Sequence, residues 1–227
     1  MKLVVQLQWT HGGGSNGTIS TVTFKGNSDC VTNGCFEFNQ TLTSYVEIAD
    51  NPELRLNRGG TISAWIYPKG LGTSSIGRII DKSSTLTGTG GYVFHLNASN
   101  QISLTINNGA VLSSANNAIT LNKWQFVTAT FTDTMRKIYV DGIEKASATT
   151  SIPLSNTAGA IRIANRPGAT VVDAAFNGSI DDIRLYNAPL SLSQIRQDYV
   201  LGLEQLFKSG LVSHEEYSLR IHDLGER

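Results

Sequence analysis

Residues 176–195 read FNGSIDDIRLYNAPLSLSQI and hold four local signals that together decide the fold. The pair Asn177-Gly178 favours a tight turn, because both residue types tolerate positive φ. Residues 181–186 follow with apolar and polar side chains in alternation, which is typical of a strand. Pro189 cannot extend a strand ladder and therefore ends it. Ser191, with a glutamine three residues later, predicts a capping box and the first turn of a helix.

This order of turn, strand, proline stop and capped helix resembles the closing motif of the laminin-G-like, concanavalin A-like lectin/glucanase domains, in which G-x-I-D-D-V-R-I-Y runs into A-L-S-x-x-E-I. Further stretches resemble motifs of the same family in the family's order: residues 34–48 (GCFEFNQTLTSYVEI), 60–68 (GTISAWIYP) and 123–131 (KWQFVTATF). The resemblance covers residues 34–200 and implies the jelly-roll fold of that family.

The spacing of turn signals, about one every eight to twelve residues, is typical of an antiparallel sandwich. Asp141-Gly142 between two alternating runs predicts a hairpin. Residues 3–9 and 19–24 are predicted as two earlier strands. With the resemblance, we expect an all-β protein, a concanavalin A-like jelly-roll sandwich of two antiparallel sheets over residues 1–200. A short α-helical C-terminal tail is expected over residues 201–227.

The predicted tail begins with residues 201–210 (LGLEQLFKSG), which have helical spacing and end in a glycine suited to a helix C-cap. Ser213 begins a second capping box. The order resembles the short helical hairpin, of SHOCT type, found at many protein C-termini. Because so short a hairpin cannot bury its apolar stripe alone, we expect it to pack on the sandwich, on a second copy of the chain or on a partner.

The 227 residues carry no net charge, with 18 basic and 18 acidic side chains. No bulk field therefore favours nucleic acid or an anionic membrane as a partner. The sequence has no run of eighteen apolar residues, so no membrane span is expected. The opening stretch MKLVVQLQW does not have the pattern of a secretory signal peptide, because Gln6 and Gln8 interrupt its apolar run.

Cys30 and Cys35 are the only cysteines, and they flank the turn pair Asn33-Gly34. Two interpretations stay open: a pair of buried thiols, or a disulfide across a short loop. A disulfide would indicate an oxidising compartment. A two-cysteine zinc site is not expected, because no histidine pair has a matching spacing.

No constellation of acidic or nucleophilic residues predicts catalysis. Glucanases of this fold place carboxylates on one strand in the pattern E-x-D-x-x-E, so that two of them face the same groove. Here Glu47 and Asp50 are three residues apart, and Pro52 ends the strand. The four histidines have no flanking nucleophile motif. We therefore expect a protein that is not an enzyme.

The resemblance implies a structural calcium ion, which related sandwich lectins hold through carboxylates and backbone carbonyls, the hard oxygen ligands that calcium prefers. Asp182 is the expected side-chain ligand, Asp181 is the second, and backbone carbonyls near Asn39 would complete the shell. Asp182, Arg184 and Tyr186 are expected on one face of the closing strand. The alternative is that Asp182 pairs with Arg184 or with a neighbouring strand.

Glycan recognition combines exposed aromatic rings with planar polar groups that bind hydroxyls. The resemblance places five candidate residues around the concave face and rim of the sandwich: Tyr67, Arg78, Asp81, His95 and Arg166. A solvated strand histidine is the alternative interpretation of His95. Trp65 and Trp124 are expected in the core between the sheets instead.

Mainly through the resemblance, these residues imply a non-catalytic, lectin-like module that binds carbohydrate in a cell-surface or secreted protein. Two alternatives stay open: a protein–protein adhesion module, and a polysaccharide hydrolase or lyase on the same fold. The expected partner is a glycan or a surface protein, and self-association through the C-terminal helices is a further expectation.

Overall fold

The structure, a computed structural model, describes residues 3–7, 17–83, 90–107, 109–151, 158–170 and 174–225, with side chains from residue 18 onward. These residues form fifteen strands and two α-helices. The strands are β1 Leu3–Leu7, β2 Gly17–Ser20, β3 Thr23–Lys25, β4 Cys35–Asn39, β5 Tyr45–Ile48, β6 Gly60–Pro68, β7 Gly77–Asp81, β8 Tyr92–Leu96, β9 Ile102–Ile106, β10 Leu112–Ser113, β11 Gln125–Phe131, β12 Met135–Val140, β13 Ile143–Thr149, β14 Ile161–Ile163 and β15 Asn177–Tyr186. The helices are α1 Leu192–Lys208 and α2 His214–Gly225.

The strands form two antiparallel sheets. The first, called sheet A, has the order β13-β12-β11-β6-β15-β4-β3, with β1 added beside β15. The second, called sheet B, has the order β10-β9-β8-β7-β14-β5-β2. The expected sandwich of two antiparallel sheets with C-terminal helices is confirmed.

The closing strand β15 is the centre of sheet A. One edge pairs with β6 from Gly178 to Tyr186. The other edge pairs with β4 over Asn177–Ile180 and with β1 over Ile183–Tyr186. Asp182 has a left-handed φ of +44° and lies where the register with β6 shifts. The early strands β1 and β4 therefore pair with the closing strand β15 in one sheet, so the two ends of the sandwich domain meet there.

The main apolar core lies between the sheets, where side chains at alternate positions of each strand point inward. In β6 these are Ile62, Ala64 and Ile66, which have no exposed surface. Phe131 of sheet A and Tyr92 of sheet B meet across this core, with ring centroids 6.2 Å apart. Burial of these inner faces supplies the hydrophobic free energy that holds the sheets together.

Helix α1 covers the outer face of sheet A. Trp65 lies on that face, and its indole stacks on Tyr199 of α1 with centroids 5.7 Å apart and planes 22° apart. Trp65 is fully buried and Trp124 is 5% exposed, so the prediction that both are buried is confirmed. The expectation that they lie between the sheets is wrong, because strand alternation turns Trp65 away from the inward-facing Ile66 and the helix buries it instead.

Polar contacts fix α1 over the strands beneath it. Asp198 accepts hydrogen bonds from the guanidinium of Arg184 at 2.7 Å and from the hydroxyl of Tyr186 at 3.2 Å. Arg196 donates to the carbonyl of Gly142 in the β12–β13 turn at 3.3 Å. The helix is therefore tied to the closing strand and to the hairpin at the other side of sheet A.

The helical hairpin packs on the sandwich, one of the three arrangements expected for it. Its first helix is unbroken from Leu192 to Lys208, because the capped helix at Ser191 and the apolar run after residue 200 are one element. Arg220 of α2 donates to the carbonyl of Trp124 at 2.9 and 3.0 Å. Neither helix of the described chain combines the length and apolarity needed to span a bilayer.

The predicted strand over residues 19–24 is two strands in different sheets. β2 pairs with β5 in sheet B, whereas β3 pairs with β4 in sheet A. Thr21 between them has a φ of +26°, and the chain changes direction there. Ser20 and Thr21 interrupt the alternation of apolar and polar residues, but two adjacent polar residues also fit a continuous strand with a bulge, so the interruption alone does not predict a turn. The strand predicted over residues 3–9 is described as Leu3–Leu7, and its end lies outside the described residues.

The structure joins Cys30 and Cys35 in a disulfide, and both residues are fully buried. The loop that this bond closes is attached to the closing strand. Asp181 accepts hydrogen bonds from the backbone N–H of Thr32 at 2.7 Å and from its hydroxyl at 2.9 Å. A contact across 149 positions of the chain thus connects the disulfide loop to the centre of sheet A.

Gly202 of α1 lies directly against the indole of Trp65, and its replacement tests whether α1 is part of the fold. A Cβ at Gly202 would lie 2.6 Å from Cε2 of Trp65. Helix propensity alone favours Gly202→Ala by about 1 kcal/mol. We expect instead a loss of about 1–3 kcal/mol, because the added methyl overpacks the interface.

The matched control for this change is Gly225→Ala, at the end of α2, where a Cβ would meet nothing within 4 Å. Chemical denaturation of both variants measures the difference. A Gly202→Ala protein as stable as Gly225→Ala would contradict the described packing of α1.

Candidate functional site

The site that the fold builds is a cavity of about 380 Å³ between the outer face of sheet A and the helical hairpin. We call it the hairpin cavity. Strands β3, β6 and β15 and the segment before β11 form one side, and the hairpin turn and α2 form the other. It is lined by Lys25, Asp29, Tyr67, Lys69, Asn122, Lys123, Trp124, Ser179, Leu211, Val212, Glu216 and Arg220.

The hairpin turn that closes the cavity follows from local sequence. Helix α1 ends at Lys208 with Ser209 as its C-cap, and Gly210 takes a φ of +72°, which favours glycine. The turn then places the apolar Leu211 and Val212 against the sandwich, since Val212 is 4% exposed. Ser213 starts α2 by accepting a hydrogen bond from the backbone N–H of Glu216 at 3.1 Å.

Two aromatic side chains form the apolar part of the cavity wall. The rings of Tyr67 and Trp124 have centroids 5.7 Å apart and planes at 56°. Trp124 is fixed by a hydrogen bond from its indole N–H to the carbonyl of Asp29 at 3.2 Å. Tyr67 is only half-buried. The wall therefore offers a partly exposed ring held against a fixed one.

The polar part of the wall consists of cations that share carboxylates. Glu37 pairs with Lys25 at 2.9 Å and also with Lys69. Burial alone would raise the pKa of Glu37, but the two ammonium groups keep it below its usual value.

Glu216 makes the corresponding contacts on the other side, with Lys123 at 2.8 Å and Arg220 at 2.7 Å. Burial alone would raise the pKa of Glu216, but these two cations lower it below its usual value. Both carboxylates are therefore ionised near neutral pH.

Tyr67 is the one predicted glycan residue in this cavity. The other four, Arg78, Asp81, His95 and Arg166, belong to sheet B or follow its strand β14. Arg78 and His95 are cross-strand neighbours on β7 and β8. Asp81 is the neighbour of Arg162 on β14, and Arg162 donates to the carbonyl of Arg166 at 3.1 Å. These residues share the outer face of sheet B, on the other side of the sandwich from Tyr67. We call it the polar face.

The polar face is largely neutralised by its own ion pairs. Arg78 pairs with the buried Asp81 at 2.5 Å, and Arg162 pairs with Glu47 at 2.6 Å. Arg162 also lies 3.9 Å above the ring of Tyr45, as a cation–π contact. Most of its charged groups thus already have partners within the sheet.

The alternative interpretation of His95 is a freely solvated strand histidine. On the polar face the residue is instead largely buried. Burial, together with the charge of Arg78, lowers its pKa to about 4. His95 is therefore neutral at physiological pH.

The structure does not bring the predicted calcium ligands together. Asn39 pairs with Asn177, five residues before Asp182, and at about 3.3 Å per residue these positions lie roughly 16 Å apart. Asp182 pairs with Arg184 at 2.7 Å, as the alternative expectation holds, and Asp181 is bound by the disulfide loop. Within the described residues no three His, Cys, Asp or Glu side chains form a metal cluster. Asp182, Asp181 and the carbonyls near Asn39 therefore do not form a calcium site in this arrangement. Calcium binding by the chain stays a prediction.

The bulge in β15 also changes which side chains share a face. In the register with β6, Asp181 lies opposite Trp65, Arg184 opposite Ser63 and Tyr186 opposite Thr61. Asp181, Arg184 and Tyr186 therefore share the outer face of sheet A. The expectation had Asp182 in the place of Asp181. The extra residue of the bulge shifts the alternation by one position, and the two consecutive aspartates between the buried Ile180 and Ile183 mark the place.

Carboxylates of the stretch considered for catalysis are held in separate ion pairs. Glu47 binds Arg162 on the polar face. Asp50 binds Arg55 at 2.6 Å and the fully buried Lys82 at 2.8 Å. Each carboxylate is therefore engaged by different cations.

Sequence reasoning missed most of the cavity wall, in particular Lys25, Lys69, Lys123, Glu216 and Arg220. The only local signal is the spacing of Glu216 and Arg220, four residues apart on one helix face. Their approach to Lys123 depends on how the hairpin packs on sheet A. That contact spans more than ninety positions of the chain, as the Arg220–Trp124 hydrogen bond shows with a separation of 96.

Comparison with known families supports the fold. Residues 39–196 match the family model described as the concanavalin A-like lectin/glucanases superfamily. The matched range ends within the first turns of α1, so α2 and the hairpin turn lie outside it. No curated protein sequence matches the chain significantly.

Two solved structures with the same fold are toxin binding domains. The binding domain of botulinum neurotoxin serotype G superposes with a TM-score of 0.67 at 16% identity, over 89% of this chain and 51% of that one. The binding domain of paraclostridial mosquitocidal protein 1 gives 0.67 at 14% identity, over 88% and 52%. The chain spans about half the length of these domains, and identities this low establish the fold alone.

Asp181 predicts a pH dependence of stability. Burial, helped by the nearby charge of Asp182, raises its pKa to about 6 from the ordinary 3.8. Because the folded pKa lies above the unfolded one, this group stabilises the fold below pH 4, and the contribution is lost as pH rises through 6. Over that window the loss is about 3 kcal/mol.

The measurement is denaturant unfolding from pH 4 to 7.5 for the wild type and Asp181→Asn, which cannot titrate. The variant is expected to lack this loss, so its stability relative to the wild type should increase toward neutral pH. Parallel stability curves would show that Asp181 does not titrate in this range.

Proposed function

Because the chain belongs to the concanavalin A-like lectin/glucanase superfamily, we propose that it is a non-catalytic carbohydrate-binding module and that its glycan occupies the hairpin cavity. Superfamily membership by itself does not choose between a lectin and a glucanase. The observation that carries the proposal is the composition of the cavity wall.

The cavity combines the groups that sugars need. Tyr67 supplies a partly exposed ring for the apolar side of a pyranose, with the buried Trp124 packed behind it, and Asn122, Ser179 and the lysines supply donors and acceptors for its hydroxyls. Its volume of about 380 Å³ is at the lower end of the range for ligand pockets, roughly 300–1,000 Å³. A unit of one or two sugar residues fits this space.

The carboxylates of the cavity favour binding over hydrolysis. A glycosidase needs one carboxyl group that stays protonated as a general acid and a second positioned across the sugar. Glu216 is instead ionised and held by Lys123 and Arg220. We accordingly propose no enzymatic activity, and incubation with the bound glycan should release no reducing sugar.

An extracellular or cell-surface location fits this function. The disulfide between Cys30 and Cys35 supports it, since such bonds persist in oxidising compartments. Adhesion to a protein surface is the alternative, and the binding experiment below distinguishes it from glycan recognition.

A glycan array followed by calorimetry with the best glycan tests the proposal. Tyr67→Ala is expected to weaken binding at least about tenfold, because the sugar loses the apolar surface against which its ring lies. Tyr67 is half-buried at the cavity, so the fold should tolerate the change.

The matched control is Tyr45→Ala, another half-buried strand tyrosine, which lies on the polar face under Arg162. It is expected to leave glycan affinity unchanged. If Tyr45→Ala abolishes binding and Tyr67→Ala does not, the site is the polar face. A chain that binds no glycan of the array but captures a surface protein is an adhesion module.

A further inference from the structure

We propose that the hairpin cavity selects an acidic sugar, whose carboxylate or sulfate group lies between the lysines at its two sides. This inference rests on the proposed function and adds the class of glycan. It is carried by the arrangement of charge around the cavity.

The charged groups form two clusters of the same design. In each, one carboxylate is shared by two cations: Glu37 by Lys25 and Lys69, and Glu216 by Lys123 and Arg220. The cavity lining contains four cationic side chains and two carboxylates, Asp29 and Glu216, while Glu37 pairs with two of the cations from outside the lining. The buried Asp141 adds a further carboxyl group close to Arg220 and Lys123.

The lysines at the cavity retain capacity to bind a ligand. An ammonium group has three N–H donors, and Lys69 and Lys123 are each 40% exposed. Arg220 is different: its side chain is 7% exposed, and its donors serve Glu216 and the carbonyl of Trp124. Lys69 and Lys123 are therefore the groups that an incoming anion meets, and Arg220 positions Glu216.

A sugar with an anionic substituent uses the whole wall. The pyranose ring lies against Tyr67, which is on the strand between the two clusters, and its acidic group reaches a lysine. Charge-assisted hydrogen bonds are roughly twice as strong as neutral ones. An acidic sugar should therefore bind at least about tenfold more tightly than its neutral analogue.

The experiment measures the affinity of the full chain for three probes: methyl glucuronide, glucose 6-sulfate and methyl glucoside. The expected order places both acidic sugars at least about tenfold ahead of the neutral one. Affinity for the acidic probes should fall as salt rises from 50 to 500 mM, because solvent-accessible charge pairs are screened. A preference for only one acidic probe identifies the anionic group.

Three substitutions test the position of the anion. Lys69→Gln and Lys123→Gln remove half-exposed charges and should each weaken binding of the acidic probes about fivefold or more. Binding of methyl glucoside should weaken less, because the glutamine amide still offers a donor to a sugar hydroxyl. Glu216→Gln should strengthen acidic binding, because it removes the carboxylate that competes for Lys123. The control Lys137→Gln removes a similar lysine, 35% exposed and paired with Glu144 at 2.9 Å, outside this cavity.

The outcomes separate this inference from the proposed function. Equal, salt-independent affinity for acidic and neutral probes overturns the acidic preference and leaves glycan binding in place. Acidic binding that resists both lysine changes, or that Glu216→Gln weakens, overturns the placement of the anion in the cavity. A chain that binds no sugar on the array or in solution overturns the proposed function itself.

Discussion

The stack of Tyr199 on Trp65 is the contact on which the architecture outside the two sheets depends. It is possible only because residue 202 is glycine, which lets α1 approach the indole closely. Phe126 extends the same cluster, with its ring 5.4 Å from that of Trp65. Aromatic contacts of this kind stabilise beyond the area they bury. The outer face of sheet A is therefore a second buried layer, and the protein has three layers instead of two.

This third layer creates the candidate site. Once α1 is fixed on sheet A, its C-terminal glycine turns the chain so that α2 returns beside the segment before β11. Arg220 then holds α2 to the carbonyl of Trp124, and Glu216 reaches Lys123. Most of the cavity floor comes from the sandwich, but one wall comes from the hairpin. The family match ends at residue 196, so the wall that distinguishes this cavity is not part of the matched domain.

Much of the fold was predictable because its signals are local. The Asp141-Gly142 turn, the capped helix at Ser191 and the closing strand all depend on short patterns. Features set by distant parts of the chain were not predictable. Alternation places Trp65 on one face of β6 but does not show that a helix covers it. The alternation breaks at Ser20-Thr21 and at Asp181-Asp182, yet such a break does not by itself distinguish a turn between two sheets from a bulge within one strand. Tyr67 was found from its residue type and strand, whereas Lys123 and Glu216 acquire a role only when the hairpin docks.

The central claim is that the hairpin and sheet A together form the glycan site. Hydrogen–deuterium exchange of the full chain, with and without the best glycan from the array, tests it directly. Binding is expected to slow exchange in residues 120–126 and 208–220, which border the cavity, and to leave residues 161–166 of the polar face unchanged. Slower exchange confined to residues 161–166 and 92–97 would contradict the claim, because it would place the ligand on sheet B.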